Sequence, residues 1–155
     1  MIRVCFVCLG NICRSPQAEG IFRQLVQEAG LQDQFHIDSA GTGGWHAGEL
    51  ADPRTRATSA RRGVPLTHRA QQFTEQHFAA FDHVLAMDRS NLANLLAIAP
   101  DAAARQKTRL LRDHDPAGSG EVPDPYAGGE RGFDEVFDLC RAACVGLLAE
   151  LTAAR

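Results

Sequence analysis

Apolar residues follow two alternating rhythms along this chain. Residues 2–8, IRVCFVC, form a nearly unbroken β-favouring run, as in a strand buried on both faces. Ser15-Pro16 then reads as an N-cap followed by proline at the first helical position. Ala18, Ile21, Phe22, Leu25, Val26 and Ala29 recur at helical spacing, and Gly30 closes that helix. FHIDSAG, residues 35–41, is a second strand running into the glycine-rich loop GTGGWHAGE. Asp52-Pro53 opens a helix to about Gly63, FDHVLAM (81–87) is a third strand, and Asp88 to Ala99 a third helix. TRLL (108–111) makes a short fourth strand, followed by a long loop with Pro116, Pro123 and Pro125. From about Phe133 to the end, Val136, Phe137, Cys140, Cys144, Leu147, Leu148 and Leu151 continue one apolar helical stripe.

Repeated βα units without an internal repeat or linker imply one α/β domain, a parallel sheet with helices on both faces. Ligands of such sheets bind beyond the carboxyl ends of the strands. The loop at 8–15 is therefore the first place to look for chemistry.

Composition removes several alternatives. The 155 residues suit one domain, and 16 Lys and Arg against 19 Asp and Glu leave a net charge of −3. Without a dense basic run, neither nucleic acid nor an anionic membrane is an expected partner. No apolar stretch approaches the ~20 residues of a membrane span. The N-terminus reads as a strand rather than a signal peptide, so a cytoplasmic location is expected. Five cysteines, an odd number, do not make a secreted disulfide framework.

Three of those cysteines, Cys5, Cys8 and Cys13, crowd the first strand and its loop. Cys5 and Cys8 point to opposite faces of the strand, which disfavours zinc, and no metal or cofactor is expected. Neither G-x-x-x-x-G-K-[ST] nor G-x-G-x-x-G follows the strand, which excludes the two commonest nucleotide loops. What remains is C-x5-R-S, Cys8 to Ser15. Leu9, Gly10, Asn11, Ile12 and Cys13 form a loop at a helix N-terminus whose backbone N–H groups can converge on one anion. Arg14 adds a planar fork for two oxygens of a tetrahedral oxyanion. The same field favours negative charge on the Cys8 sulfur, a nucleophile beneath a bound phosphorus. Gly10 is expected to supply backbone freedom and Asn11 to brace the loop from inside.

With VCLGNICRSPQAE read in this way, the chain resembles the low-molecular-weight protein tyrosine phosphatases. That family combines an N-terminal C-x5-R-S with a late D-P-Y, here PDPYAGG with Asp124, Pro125 and Tyr126. DSAGTGGWHAGELADPR (38–54) and AMDRSN (86–91) match in order and spacing. The resemblance implies a flavodoxin-like, four-stranded parallel sheet flanked by helices. It implies hydrolysis of phosphotyrosine on proteins through a phosphocysteine, with inorganic phosphate or vanadate as ligands. Cys8 would attack phosphorus, Arg14 hold the equatorial oxygens, and Ser15 donate to the leaving sulfur. Asp124 would be general acid and then base. Asn11, Ser39 and His68 would form a buried polar network, although by pattern alone His68 reads as a surface histidine. Trp45 and Tyr126 would wall the substrate ring. The chain departs from many members at Ala127, where a second tyrosine often follows, and at Gln71-Gln72, near which an arginine is common.

Arsenate reductases share the loop but need relay thiols, and the downstream candidates, Cys140 and Cys144, lie on an apolar stripe. Relatives acting on phosphoarginine usually carry threonine at the position of Ile12. A phosphate-binding module without catalysis would tolerate loss of Cys8 or Asp124, and both are present. Asp113 and Asp115 are rival acids by composition. Cys13 lies close enough in the loop to capture an oxidised Cys8.

Overall fold

The computed structural model describes residues 1–125 and 129–153. Four parallel strands, β1 (Ile2–Cys8), β2 (Phe35–Gly41), β3 (His83–Ala86) and β4 (Thr108–Leu110), lie in the order β2-β1-β3-β4. β1 pairs with β2 from Ile2↔Phe35 to Cys8↔Gly41, and with β3 from Val4↔His83 to Val7↔Ala86. The chain moves to one side after β1 and to the other after β2. The crevice between those directions opens at the carboxyl end of β1, the position of Cys8.

Alternation along β1 splits the core in two. Val4, Phe6 and Cys8 face a layer built from α1 (Arg14–Glu28) and α6 (Gly129–Ala153), with Ile21, Phe22, Phe137 and Leu147 among its buried side chains. Cys5 and Val7 face the opposite layer, which includes Phe78, Phe81 and Leu95. The latter come from or adjoin α3 (Glu75–Ala80) and α4 (Arg89–Ile98), and α5 (Ala102–Gln106) adds Ala104. α2 (Pro53–Arg61) lies against α6, where Arg62 stacks on Phe137 and pairs with Asp138. No helix among the described residues is long and apolar enough to cross a membrane.

Three elements, β1, β2 and α4, match their expected bounds closely. At the end of α1, Gly30 takes φ 71°, with Gly30 N donating to Gln27 O and Leu31 N to Val26 O, a Schellman closure. The start of α1 differs from expectation. The helix begins at Arg14 with Cys13 in the cap position, and Ser15 lies inside the first turn. Its hydroxyl is turned inward to the Cys8 sulfur instead of capping a backbone N–H. Pro16 is tolerated there because first-turn N–H groups have no intrahelical acceptor. α6 begins at Gly129, ahead of Phe133, because its first residues carry no apolar signal. α3 and α5, absent from the pattern reading, are single turns held by Thr74 and Asp101 at their caps.

Two helical glycines separate propensity from packing. A methyl at Gly146 would lie 1.8 Å from the His114 carbonyl oxygen, a backbone atom that cannot turn away. At Gly20 the nearest atom is Leu66 Cδ2, 2.5 Å away on a flexible side chain. Alanine gains up to ~1 kcal/mol of helix propensity, whereas overpacking costs ~1–3 kcal/mol. Gly146→Ala should therefore destabilise by about 2 kcal/mol in urea unfolding, and Gly20→Ala should stay within about 1 kcal/mol of the parent.

Candidate active site

The loop leaving β1 is pinned by backbone bonds before any side chain acts. Thr42 N donates to Cys8 O at 2.9 Å, Gly43 N to Leu9 O at 2.9 Å, and Asp52 N to Ile12 O at 2.8 Å. Gly41 permits this approach, since a Cβ there would come within 2.7 Å of Leu9 O. Positive φ falls on Asn11 (φ 57°) and not on the expected Gly10. Asparagine tolerates this left-handed conformation better than most residues, and here its side chain is fully engaged. Nδ2 donates to Ser15 Oγ at 2.8 Å and Ser39 Oγ at 3.0 Å. Oδ1 accepts from Gln71 N at 3.0 Å and from His68 Nε2 at 2.8 Å.

Cys8 lies buried at the centre of this arrangement. Its Sγ is 2.9 Å from Ser15 Oγ, and Asn11 N donates to it at 3.3 Å. Because Asn11 already donates to Ser15 Oγ, the serine proton is free to point at the sulfur. Ser39 Oγ donates to Glu19 Oε1 at 2.7 Å, and His68 Nδ1 lies 3.1 Å from the same oxygen and 3.5 Å from Asp38 Oδ1. His68 is thus an interior brace, with acceptors at both ring nitrogens, and not the surface residue its pattern suggested.

Arg14 is buried, and Nη1 donates to Asp88 Oδ2 at 2.6 Å and to Val122 O at 3.1 Å. Burial opposes the guanidinium charge, yet Cys8, the bond and charge of Asp88, and Asp124 together raise its pKa above the ordinary value. Asp88 also caps α4, its Oδ1 accepting from Asn91 N at 2.7 Å. Val122 N donates to Met87 O at 2.8 Å and Arg89 N to Glu121 Oε2 at 2.7 Å. These contacts fasten the late loop to the end of β3 and the start of α4, two residues before Asp124.

Asp124 consequently lines one pocket of about 130 Å³ with Cys8, Cys13, Arg14, Ile12 and Trp45. Leu9 and Gly10 also border it. Trp45 is 71% exposed, its indole lying over Gly43, where a Cβ would sit 1.8 Å from Cζ3. Tyr126 and Ala127 lie outside the described residues. Asp113 is exposed, and Asp115 accepts from Ala117 N and lies 3.8 Å from Arg112; neither lines the pocket. Pattern reading missed Glu19, Asp38, Gln71 and Asp88, which hold the loop and Arg14, and His46, which borders the pocket. A carboxylate on a helix carries no mark of being aimed inward, although Asp88 stands in the AMDRSN match. Cys140 and Cys144 are buried, and burial pushes the Cys140 thiol up to about 12 and the Cys144 thiol well above its usual value. Such thiols are poor relays, against the arsenate reading.

The family described as low molecular weight phosphotyrosine protein phosphatase matches residues 3–155. A Streptomyces coelicolor protein named low molecular weight protein-tyrosine-phosphatase is 53% identical over 150 residues, covering 95% of this chain and 92% of that protein. The human low molecular weight phosphotyrosine protein phosphatase is 40% identical over 146 residues, covering 94% and 92%. A crystal structure of a protein tyrosine phosphatase from Entamoeba histolytica superposes with a TM-score of 0.95 at 37% identity, covering 99% of each chain. The chain belongs to the low molecular weight phosphotyrosine protein phosphatases, and it is an enzyme of that class.

The Asn11 network yields a paired test. Asn11→Ala retains the left-handed strain of ~1–2 kcal/mol and orphans buried groups worth ~1–3 kcal/mol each. Asn11→Gly orphans the same groups but relieves the strain. Both should unfold at lower urea than the parent, with the alanine variant about 1 kcal/mol the weaker.

Proposed function

We propose that the enzyme hydrolyses aryl phosphate monoesters, phosphotyrosine on proteins first among them, through a phosphocysteine on Cys8. The observation that carries this reading is the convergence of Cys8, Arg14, Asp124 and Trp45, distant in the chain, on a single pocket. Backbone N–H groups of Leu9 to Cys13 and the Arg14 fork hold three phosphate oxygens, which also makes inorganic phosphate and vanadate ligands. The Cys8 thiolate forms a bond to phosphorus as the bond to the phenolic oxygen breaks, and Asp124 gives that oxygen its proton. Asp124 then takes a proton from water, whose oxygen attacks the phosphocysteine. The sulfur leaves as thiolate, stabilised by the Ser15 hydroxyl 2.9 Å away.

Trp45 and Ile12 supply apolar walls suited to a phenyl ring, which favours phosphotyrosine over phosphoarginine. Tyr126 joins the proposed walls on the strength of the D-P-Y match. Cys13 borders the same pocket, and after peroxide converts Cys8 to a sulfenic acid its thiol would displace water to form a disulfide. The five cysteines form no disulfide, which fits a reducing compartment, the cytoplasm.

The acid is tested by leaving groups. Nitrophenolate departs without a proton, whereas a tyrosine phenol with a pKa near ~10 does not. Asp124→Asn should lower kcat for phosphotyrosine by about 10²–10⁴-fold and for nitrophenyl phosphate far less. Asp113→Asn and Asp115→Asn should leave that ratio unchanged. Equal losses on both substrates would remove Asp124 as the acid.

The nucleophile and anion fork are tested separately. Cys8→Ser should abolish turnover while equilibrium binding of vanadate or phosphate persists. Arg14→Lys should nearly match it in lost kcat/KM, because a point charge cannot replace two parallel N–H donors and would leave Asp88 and Val122 O poorly matched. Residual turnover by Cys8→Ser would exclude the covalent route.

A further inference from the structure

Six large apolar side chains are exposed among the described residues, and their placement is uneven: Leu9, Trp45 and Ile98 line one groove. The groove has about 360 Å³ of space and runs from the loop after β1 to the last turn of α4. Phe73 contributes to its wall, and the amides of Gln72 and Asn94 border it. No charged side chain lines it. It shares Leu9 and Trp45 with the catalytic pocket, so Trp45 stands as a partition between the two spaces. On the other flank, the depression that shares Ile12 and His46 with the pocket is lined by Glu49, Asp52, Arg56 and Arg69. The two sides of the pocket are therefore chemically unlike.

We infer that the Leu9–Trp45–Ile98 groove receives an apolar side chain of the substrate polypeptide, from a residue within two positions of the phosphotyrosine. The inference rests on the phosphotyrosine reading above and adds to it a preference in the surrounding sequence. A clustered exposed apolar surface marks a contact site rather than ordinary scatter. Continuity with the pocket across the Trp45 partition argues for the occupant, since that rim is one of the two flanks over which a chain whose phosphate is held at Cys8 can leave. The Gln72 and Asn94 amides offer donors and acceptors to the peptide backbone there. Ile98 touches neither phosphate nor ring in this arrangement and acts only on the flanking residue.

The test uses phosphotyrosyl peptides that differ only by Ala, Leu or Glu at each of the two positions on either side. For the native enzyme, Leu at one of these positions should raise kcat/KM about tenfold over Ala, mainly through KM. Ile98→Lys, at a helix C-terminus that accepts a cation, should erase the Leu preference and favour Glu at the same position. Ile98→Leu should keep the Leu preference, and nitrophenyl phosphate should be hydrolysed equally by all three proteins. Equal rates for the Ala and Leu peptides would overturn the groove's assignment, as would a Leu preference that survives Ile98→Lys. Self-association of the native enzyme at assay concentration, abolished by Ile98→Lys in sedimentation, would assign the groove to a second copy and overturn it too. An enzyme that cleaves nitrophenyl phosphate but none of the phosphotyrosyl peptides would instead overturn the substrate reading beneath it.

Discussion

A single amide side chain holds the loop after β1 in shape. Asn11 sits in a backbone conformation that costs an L-residue ~1–2 kcal/mol, and its four hydrogen-bonding positions are all occupied inside the protein. The bonds reach Ser15 on α1, Ser39 on β2, and His68 and Gln71 in the segment after α2. Each partner is itself tied down, Ser39 by Glu19 and Gln71 by Asp38. The shape of the loop after β1 therefore depends on packing between elements and not on the loop alone. A fully satisfied buried network of this kind tolerates little partial loss.

Arg14 shows the same economy on the other side of the loop. One carboxylate, Asp88, both starts α4 and orients the guanidinium, so helix placement and the position of Arg14 share an anchor. Val122 O completes the arginine's contacts, and through it the late loop that carries Asp124 is registered against the early loop that carries Cys8. The topology makes this possible. The early loop leaves the carboxyl end of β1, and the late loop, which follows β4, is fastened to the carboxyl end of the adjacent strand β3, at the point where the sheet order reverses.

The sheet and the principal helices were legible because their signals are long or buried on both faces. β1 and β2 read true to their ends, while β3 lost its outer residues to turns. α3 and α5, at six and five residues, are too short for periodicity to register and owe their existence to capping side chains and neighbours. Ser15-Pro16 looked like a helix start because a capping serine and a serine turned toward a thiol are written alike. Gly10 drew attention as the flexible residue, yet the unusual conformation belongs to Asn11, paid for by partners remote in sequence. Cys8, Arg14 and Asp124 were visible from motif spacing. Glu19, Asp38 and Asp88, which position the site, were not, since an acidic residue on a helix or strand normally faces water.

Trp45 is the chain's single tryptophan, and it stands largely in solvent on the partition between two spaces. Excited where tyrosine absorbs little, the protein therefore emits from one place only, the rim of its own site. Any molecule that seats beside that indole exchanges water for organic contact on one of its faces, altering the colour or brightness of the emission. The fold has in effect placed an optical probe at its entrance, readable in unlabelled protein and without turnover.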